Sequence, residues 1–255
     1  MNDIRSLQRF LDQKLLTHKH PDFIKDDPLS IPHMFSLQQD QEIAGFFAAI
    51  FAWGNRTTII NKSKELLERM DNVPHAFCLN ASSTDLKKLL NFRHRTFNDD
   101  DLLYFVEFFR SHYRAHPSLE AAFTAGMQKN DLTVEQGLNH FKQYFFHLPH
   151  LRRTQKHIAS PAQGSACKRI NMFLRWMVRD DGIDLGLWKT IKPAQLVCPL
   201  DLHVSRVAKK FGLIDRPNAD WTSALQLTER LREFDPDDPV KYDFALFALG
   251  VVEKY

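Results

Sequence analysis

Apolar residues in this chain recur at spacings of three and four, and nowhere over a useful length do they alternate one-for-one with polar residues. That period belongs to helices buried along one face, so the fold class expected is all-α. Ile43, Phe46, Phe47, Ile50 and Phe51 give the clearest stripe. Ser36 and Gln39 precede it at capping-box spacing, and Gly54 is expected to end it, with Trp53-Gly54-Asn55-Arg56 as a polar corner. Further helices are predicted near 59–70, 84–90, 99–113, 118–128, 134–146, 165–180, 202–211, 221–233 and 239–252. Asp238 is read as the capping carboxylate of the last, ahead of Pro239 in its first turn. With 21 Phe against nine Gly, a helical core is expected, and a fold built on tight turns and glycine-rich phosphate loops is disfavoured.

At 255 residues, 44% hydrophobic and 25% charged, the chain has the balance of a soluble globular protein. A single domain over 1–255 is expected, built as two packed helical lobes of approximately 36–150 and 1–35 plus 151–255, with no internal repeat. The longest apolar run, Ala44 to Trp53, is about half of the ~20 residues that span a bilayer, and MNDIRSLQRF lacks a signal-peptide core. A cytoplasmic monomer with no membrane partner is the expectation. Cys78, Cys167 and Cys198 are too scattered for a disulfide framework or a four-cysteine cluster and read as buried thiols. Twelve histidines raise metal chemistry, but His112 and His116 lack the Glu that zinc-protease spacing requires, so no metal is expected.

Charge is unevenly spread. Residues 151–179 hold seven cations (Arg152, Arg153, Lys156, Lys168, Arg169, Arg175 and Arg179) and no acid, whereas 229–243 hold six acids against three cations. On a helical projection Ala166, Ile170, Phe173, Leu174, Met177 and Val178 form a core face, and Lys168, Met172, Arg175 and Arg179 form an opposite cationic face. The turn Pro161-Ala-Gln-Gly164-Ser165 would aim backbone N–H groups outward at the helix start, which suits a phosphate. Downstream, Asp201 stands where an N-cap belongs, ahead of Val204, Val207, Ala208 and Phe211 at helical spacing.

Pro199-Leu-Asp201-Leu-His203-Val-Ser-Arg206-Val resembles the Asp-Thr-His-Val-x-Arg-Val segment of helix-hairpin-helix DNA glycosylases of the endonuclease III type. Gly164-Ser-Ala166-Cys-Lys168 is similar to their Gly-x-Gly-x-Lys hairpin, with Ala166 in place of the second glycine. The 33 residues from Lys168 to Asp201 are similar to the separation in archaeal 8-oxoguanine glycosylases. The chain as a whole also resembles a bacterial family of unknown function, through Ala52-Trp-Gly-Asn-Arg56, Phe92-Arg-His-Arg-Thr-Phe97, Phe173-Leu-Arg-Trp-Met-Val-Arg179 and Asp238-Pro-Val-Lys-Tyr-Asp-Phe-Ala-Leu246.

The glycosylase resemblance implies a helix-hairpin-helix fold and a base-excision repair enzyme with DNA or RNA as partner. It implies Lys168 as nucleophile at C1′ of an extruded nucleotide and Asp201 as the carboxylate that stabilises the developing positive charge, giving glycosylase and abasic-site lyase activity. Gly164, Ser165, Arg169, Arg175, Arg179 and His203 would contact nucleic acid. Trp53, Asn55 and Arg56 lie where the family has the corner that inserts into DNA, although a tryptophan closing the core at its helix end is the plainer reading of Trp53. His147, His150 and His157 read as further DNA-facing polarity, and Trp176 and Trp188 as core. No iron–sulfur cluster or other cofactor is implied, since the C-terminal cysteines are missing. The alternative is a non-catalytic nucleic-acid-binding protein on the same scaffold.

Overall fold

The computed structural model describes residues 4–18, 20 and 22–255, which form an all-α fold with one small hairpin. In chain order the helices are α1 (Ile4–His18), α2 (Asp22–Lys25), α3 (Gln38–Phe51), α4 (Arg56–Arg69), α5 (Pro74–Asn80), α6 (Ser83–Lys87), α7 (Asp99–Ala115), α8 (Glu120–Thr124), α9 (Glu135–Phe145), α10 (Lys168–Val178), α11 (Leu202–Lys210), α12 (Trp221–Arg232) and α13 (Asp243–Val251). Between α6 and α7, β1 (Arg93–His94) pairs antiparallel with β2 (Phe97–Asn98). The described residues divide into two compact units, one within Met1–Phe23, Gln128–Gln136 and Ser160–Tyr255, the other within Ile24–Met127 and Gly137–Ala159. Residues 24–35 and 151–159 therefore go with the second unit rather than with the C-terminal part of the chain.

The second unit is organised by rings. Phe46 of α3, Phe105 and Phe109 of α7, and Phe141 and Phe145 of α9 are buried together, with Phe46 edge-on to Phe109 at 5.6 Å and Phe105 edge-on to Phe145 at 4.7 Å. Such offset and edge-on pairs add to the apolar area removed from water. α3 starts at Gln38 behind Leu37, which supplies no capping side chain, so the capping box expected from Ser36 and Gln39 does not form. Gln39 Nε2 donates instead to the Pro117 carbonyl at 2.7 Å. Within α3 the buried Glu42 carboxylate accepts from Tyr113 Oη at 2.7 Å, Ser118 Oγ at 2.6 Å and the Leu119 N–H at 2.9 Å, which satisfies a charge inside the core.

α7 opens with a reciprocal cap between Asn98 and Asp101. Asp101 also fastens the basic segment that follows α9, accepting from Arg153 Nη1 at 2.8 Å, Thr154 Oγ1 at 2.8 Å and His157 Nε2 at 3.0 Å. Burial opposes ionisation of Asp101, but the His157, Asn98 and Thr154 hydrogen bonds outweigh it and hold the carboxyl below its ordinary range. His157 is thus buried and bonded rather than DNA-facing. α4 begins at Arg56, earlier than the predicted 59, because Asn55 Oδ1 caps it through the Thr58 N–H at 3.1 Å. The helix expected at 118–128 is reduced to α8.

In the first unit α1 and α11 pack on α13. A Cβ at Gly250 of α13 would lie 3.0 Å from His203 Cβ and 3.1 Å from its carbonyl oxygen, so the glycine permits the close approach of α11. Trp176 and Trp188 are buried, as expected, and all three cysteines are buried and free. The helix expected at 239–252 is a 3-10 turn, Pro239–Tyr242, followed by α13, and the Asp238 side chain does not cap it. Among the described residues no helix is long and apolar enough to cross a membrane.

Candidate active site and nucleic-acid interface

The segment before α10 is a tight hairpin. The Gly164 N–H donates to the Pro161 carbonyl at 2.7 Å, and the Gly164 carbonyl accepts from the Trp221 N–H at 3.2 Å, while Ser165 bridges antiparallel to Asp220. Gly164 has φ +72°, and a Cβ there would meet nothing within 4 Å, so backbone conformation rather than crowding requires glycine. The second left-handed residue is Cys167, φ +50°, not Ala166. Ala166 is therefore not a position of this turn that requires glycine. Ser165 Oγ accepts from the Cys167 N–H at 3.1 Å, and Lys168 follows as the first residue of α10, half-buried beside half-buried Arg169. Burial lowers the Arg169 pKa.

Asp201 caps α11 as expected. Its Oδ1 accepts from the Val204 N–H at 2.9 Å, and the side chain is half-exposed. Leu202 and His203 beside it are exposed. Lys168 and Asp201 both lie within electrostatic reach of a third group that sequence reasoning missed. Asp243, the first residue of α13, is buried, and Lys168 and Asp201 both act on its carboxyl electrostatically. Its Oδ2 accepts from Arg175 Nη1 at 2.5 Å, and its Oδ1 lies 4.0 Å from Cys198 Sγ. Burial and the Asp201 charge raise the Asp243 pKa, against the opposing pull of Arg175 and Lys168. Burial, then the Asp243 charge, pushes the Cys198 thiol well up, which leaves it a neutral neighbour rather than a nucleophile. The only sequence signal for Asp243 was its place in the stretch 238–246.

The predicted cationic face of α10 is corrected by what Arg175 and Arg179 touch. Both are buried, 5% and 2% exposed, which removes them from any surface that could meet a phosphate. Arg175 reaches Asp184 at 3.3 Å as well as Asp243. Arg179 reaches Asp184 at 2.6 Å, Asp181 at 3.0 Å and Asp238 in a two-pronged pair at 2.9 Å. Burial opposes the Arg179 charge, but Asp238, Asp184 and Asp181 more than restore it. Burial also lifts Asp184 to about 6 despite both arginines. Asp238 is drawn away from its expected capping role by Arg179. Arg175 and Arg179 of the basic helix and Asp243 and Asp238 of the acidic C-terminal stretch neutralise each other inside this unit.

In the other unit, the corner after α3 keeps its expected residues at the surface. Asn55 is committed to capping α4, and Arg56 is the half-buried first residue of that helix. Trp53 does not close the core: it is 52% exposed, with the Arg95 guanidinium 4.9 Å above its ring. Buried His112, whose ring nitrogens lie 3.1 Å from Tyr144 Oη and 3.0 Å from the Ser118 carbonyl, is pushed down to about 4 by burial. Among the described residues no group of three or more His, Cys, Asp or Glu side chains is arranged to hold a metal ion.

A family model described as "Protein of unknown function (DUF2400)" matches residues 27–252. No curated protein and no solved structure matches the chain.

Proposed function

We propose, for a chain that belongs to the DUF2400 family of proteins of unknown function, that it is a helix-hairpin-helix base-excision enzyme acting on DNA, with Lys168 as nucleophile and Asp201 as its carboxylate partner. The observation that supports this reading is that Lys168 opens α10 directly behind a left-handed glycine turn and Asp201 caps the N-terminus of α11, with the buried Asp243 carboxyl within electrostatic reach of both. A lysine and a helix-capping carboxylate around a common buried acid is an arrangement suited to covalent chemistry on a sugar.

In the reaction the target base leaves the stack. The neutral Lys168 amine attacks C1′ and the C1′–N bond breaks, its electron pair leaving with the base, which takes up a proton. Opening of the sugar ring then gives a protonated imine between Lys168 and C1′. Loss of a proton from C2′ expels the 3′ phosphate and cuts the strand. Asp201 stabilises the positive charge that develops on the sugar. Asp243 and Arg175 act beneath this pair as positioning groups. Gly164, Ser165, Arg169 and His203 contact the nucleic acid near the reacting sugar.

Strand cutting of DNA carrying 8-oxoguanine, uracil or an abasic site tests the reading. Wild type should cut at least one of these, and Lys168→Gln and Asp201→Asn should reduce the rate by at least about 100-fold. Salt-sensitive binding without cutting, unchanged by both substitutions, would mark a binding protein instead.

A further inference from the structure

The protein has four tryptophans, and three of them, Trp176, Trp188 and Trp221, are no more than 6% exposed. Trp53 is different: half of an indole lies open at the corner between α3 and α4. The β1–β2 turn brings Arg95 over that ring at 4.9 Å. Among the described residues the Arg95 guanidinium makes no hydrogen bond or ion pair, and the acids that follow it in sequence face elsewhere, Asp99 toward the Asn91 N–H and Asp100 toward the Asn98 amide. Two backbone departures hold the pair. Arg95 itself has φ +53°, and Gly54, φ +107°, is so close beneath the guanidinium that a Cβ would come within 1.9 Å of Arg95 Nη2. A non-glycine residue in the left-handed region is uncommon, and a side chain at Gly54 would displace the arginine from its place over the ring.

The two chain segments that form this corner carry charge of one sign. Residues 53–64 and 91–98 contain Arg56, Lys62, Lys64, Arg93 and Arg95 and no acid, although Lys62 is paired with Glu65 at 2.6 Å. An exposed aromatic face amid cations is complementary to a ligand that alternates flat π-systems with negative charges. We propose that Trp53 and Arg95 form a stacking site for one unpaired base of single-stranded nucleic acid, the base lying on the indole and the guanidinium meeting the neighbouring phosphate. A paired base keeps both faces within the duplex stack, so the site discriminates strandedness. It needs no chemistry at Lys168.

The test uses the full chain carrying Lys168→Gln, so that no covalent step intervenes. Tryptophan fluorescence is followed while an oligothymidylate of about ten nucleotides, or a duplex of the same length, is added. The expected result is a saturable quench with the single strand, absent in Trp53→Phe, while the anisotropy of a dye-labelled oligothymidylate shows affinity about tenfold weaker in Trp53→Ala and in Arg95→Ala, and weaker binding of the duplex. Circular dichroism confirms that each variant is folded, and both changed side chains are at the surface. Absence of a quench, affinity unchanged in both variants, or equal response to duplex would overturn the proposal. Wild type that quenches with the oligonucleotide yet cuts no damaged strand would sink the repair reaction and leave this site standing; the reverse outcome would do the opposite.

Discussion

Arg175 sits between Asp184 at 3.3 Å and Asp243 at 2.5 Å, with the Phe244 ring 4.4 Å from its guanidinium. Arg175→Met would leave Asp243 without its paired cation and Asp184 with Arg179 alone, and removing one partner of such a cluster costs about 3–5 kcal/mol. Urea denaturation should show that loss, and a change within 1 kcal/mol would mean that the network contributes little. Sequence alone could count these cations but not find their partners, because Asp243 and Asp238 lie 68 and 59 residues from the arginines they meet. An acid-free run such as 151–179 therefore reads as a polyanion surface when its counter-charges are elsewhere in the chain. His112 gives a prediction of opposite character. Its folded value of about 4 lies below the 6.5 of a free imidazole, so its stabilising contribution is complete above pH 6.5 and is lost as pH falls toward 4. The loss is up to about 3 kcal/mol for such a shift. The pH dependence of unfolding over this range should flatten in His112→Gln.

At the scale of elements, helix starts separate what is locally encoded from what is not. Asp201 was legible because its cap closes on Val204, three residues away, and any aspartate ahead of an apolar helical stripe offers the same bond. Ser36 and Gln39 had the right spacing but were outcompeted, since Gln39 finds a carbonyl 78 residues away. Asn55→Ala and Asn98→Ala should each cost about 1 kcal/mol in thermal or urea unfolding, and Ser36→Ala essentially nothing. A loss at Ser36 equal to that at Asn55 would contradict this assignment of caps. The β1–β2 hairpin was not legible at all, because strands of two residues cannot display an alternating pattern, yet its turn supplies Arg95. A turn over residues 161–165 was anticipated from its residues, whereas the left-handed conformations of Gly164 and Cys167 had no sequence signal.

Over the whole molecule, the all-α fold follows from helical periodicity, and the aromatic core of the second unit follows from the abundance of phenylalanine. Charge does not transfer so directly. Of the seven cations in 151–179, Arg175 and Arg179 are consumed by buried acids and Arg153 by Asp101. If DNA binds at the start of α10, Lys168→Gln should lower the magnitude of the salt slope of DNA affinity by about 1, and Arg153→Gln should leave it unchanged. Binding titrations across a salt series would measure this, and a reduced slope in Arg153→Gln would show that Arg153 meets phosphate after all.

The central claim is that Lys168 and Asp201 perform covalent chemistry on a sugar. Borohydride reduction during incubation with abasic-site DNA, followed by digestion and mass spectrometry, reads it directly. The expected product is a single adduct on the peptide containing Lys168, absent in Lys168→Gln and strongly reduced in Asp201→Asn. An adduct on another amine, or none at all while the protein remains folded and bound to DNA, would contradict it.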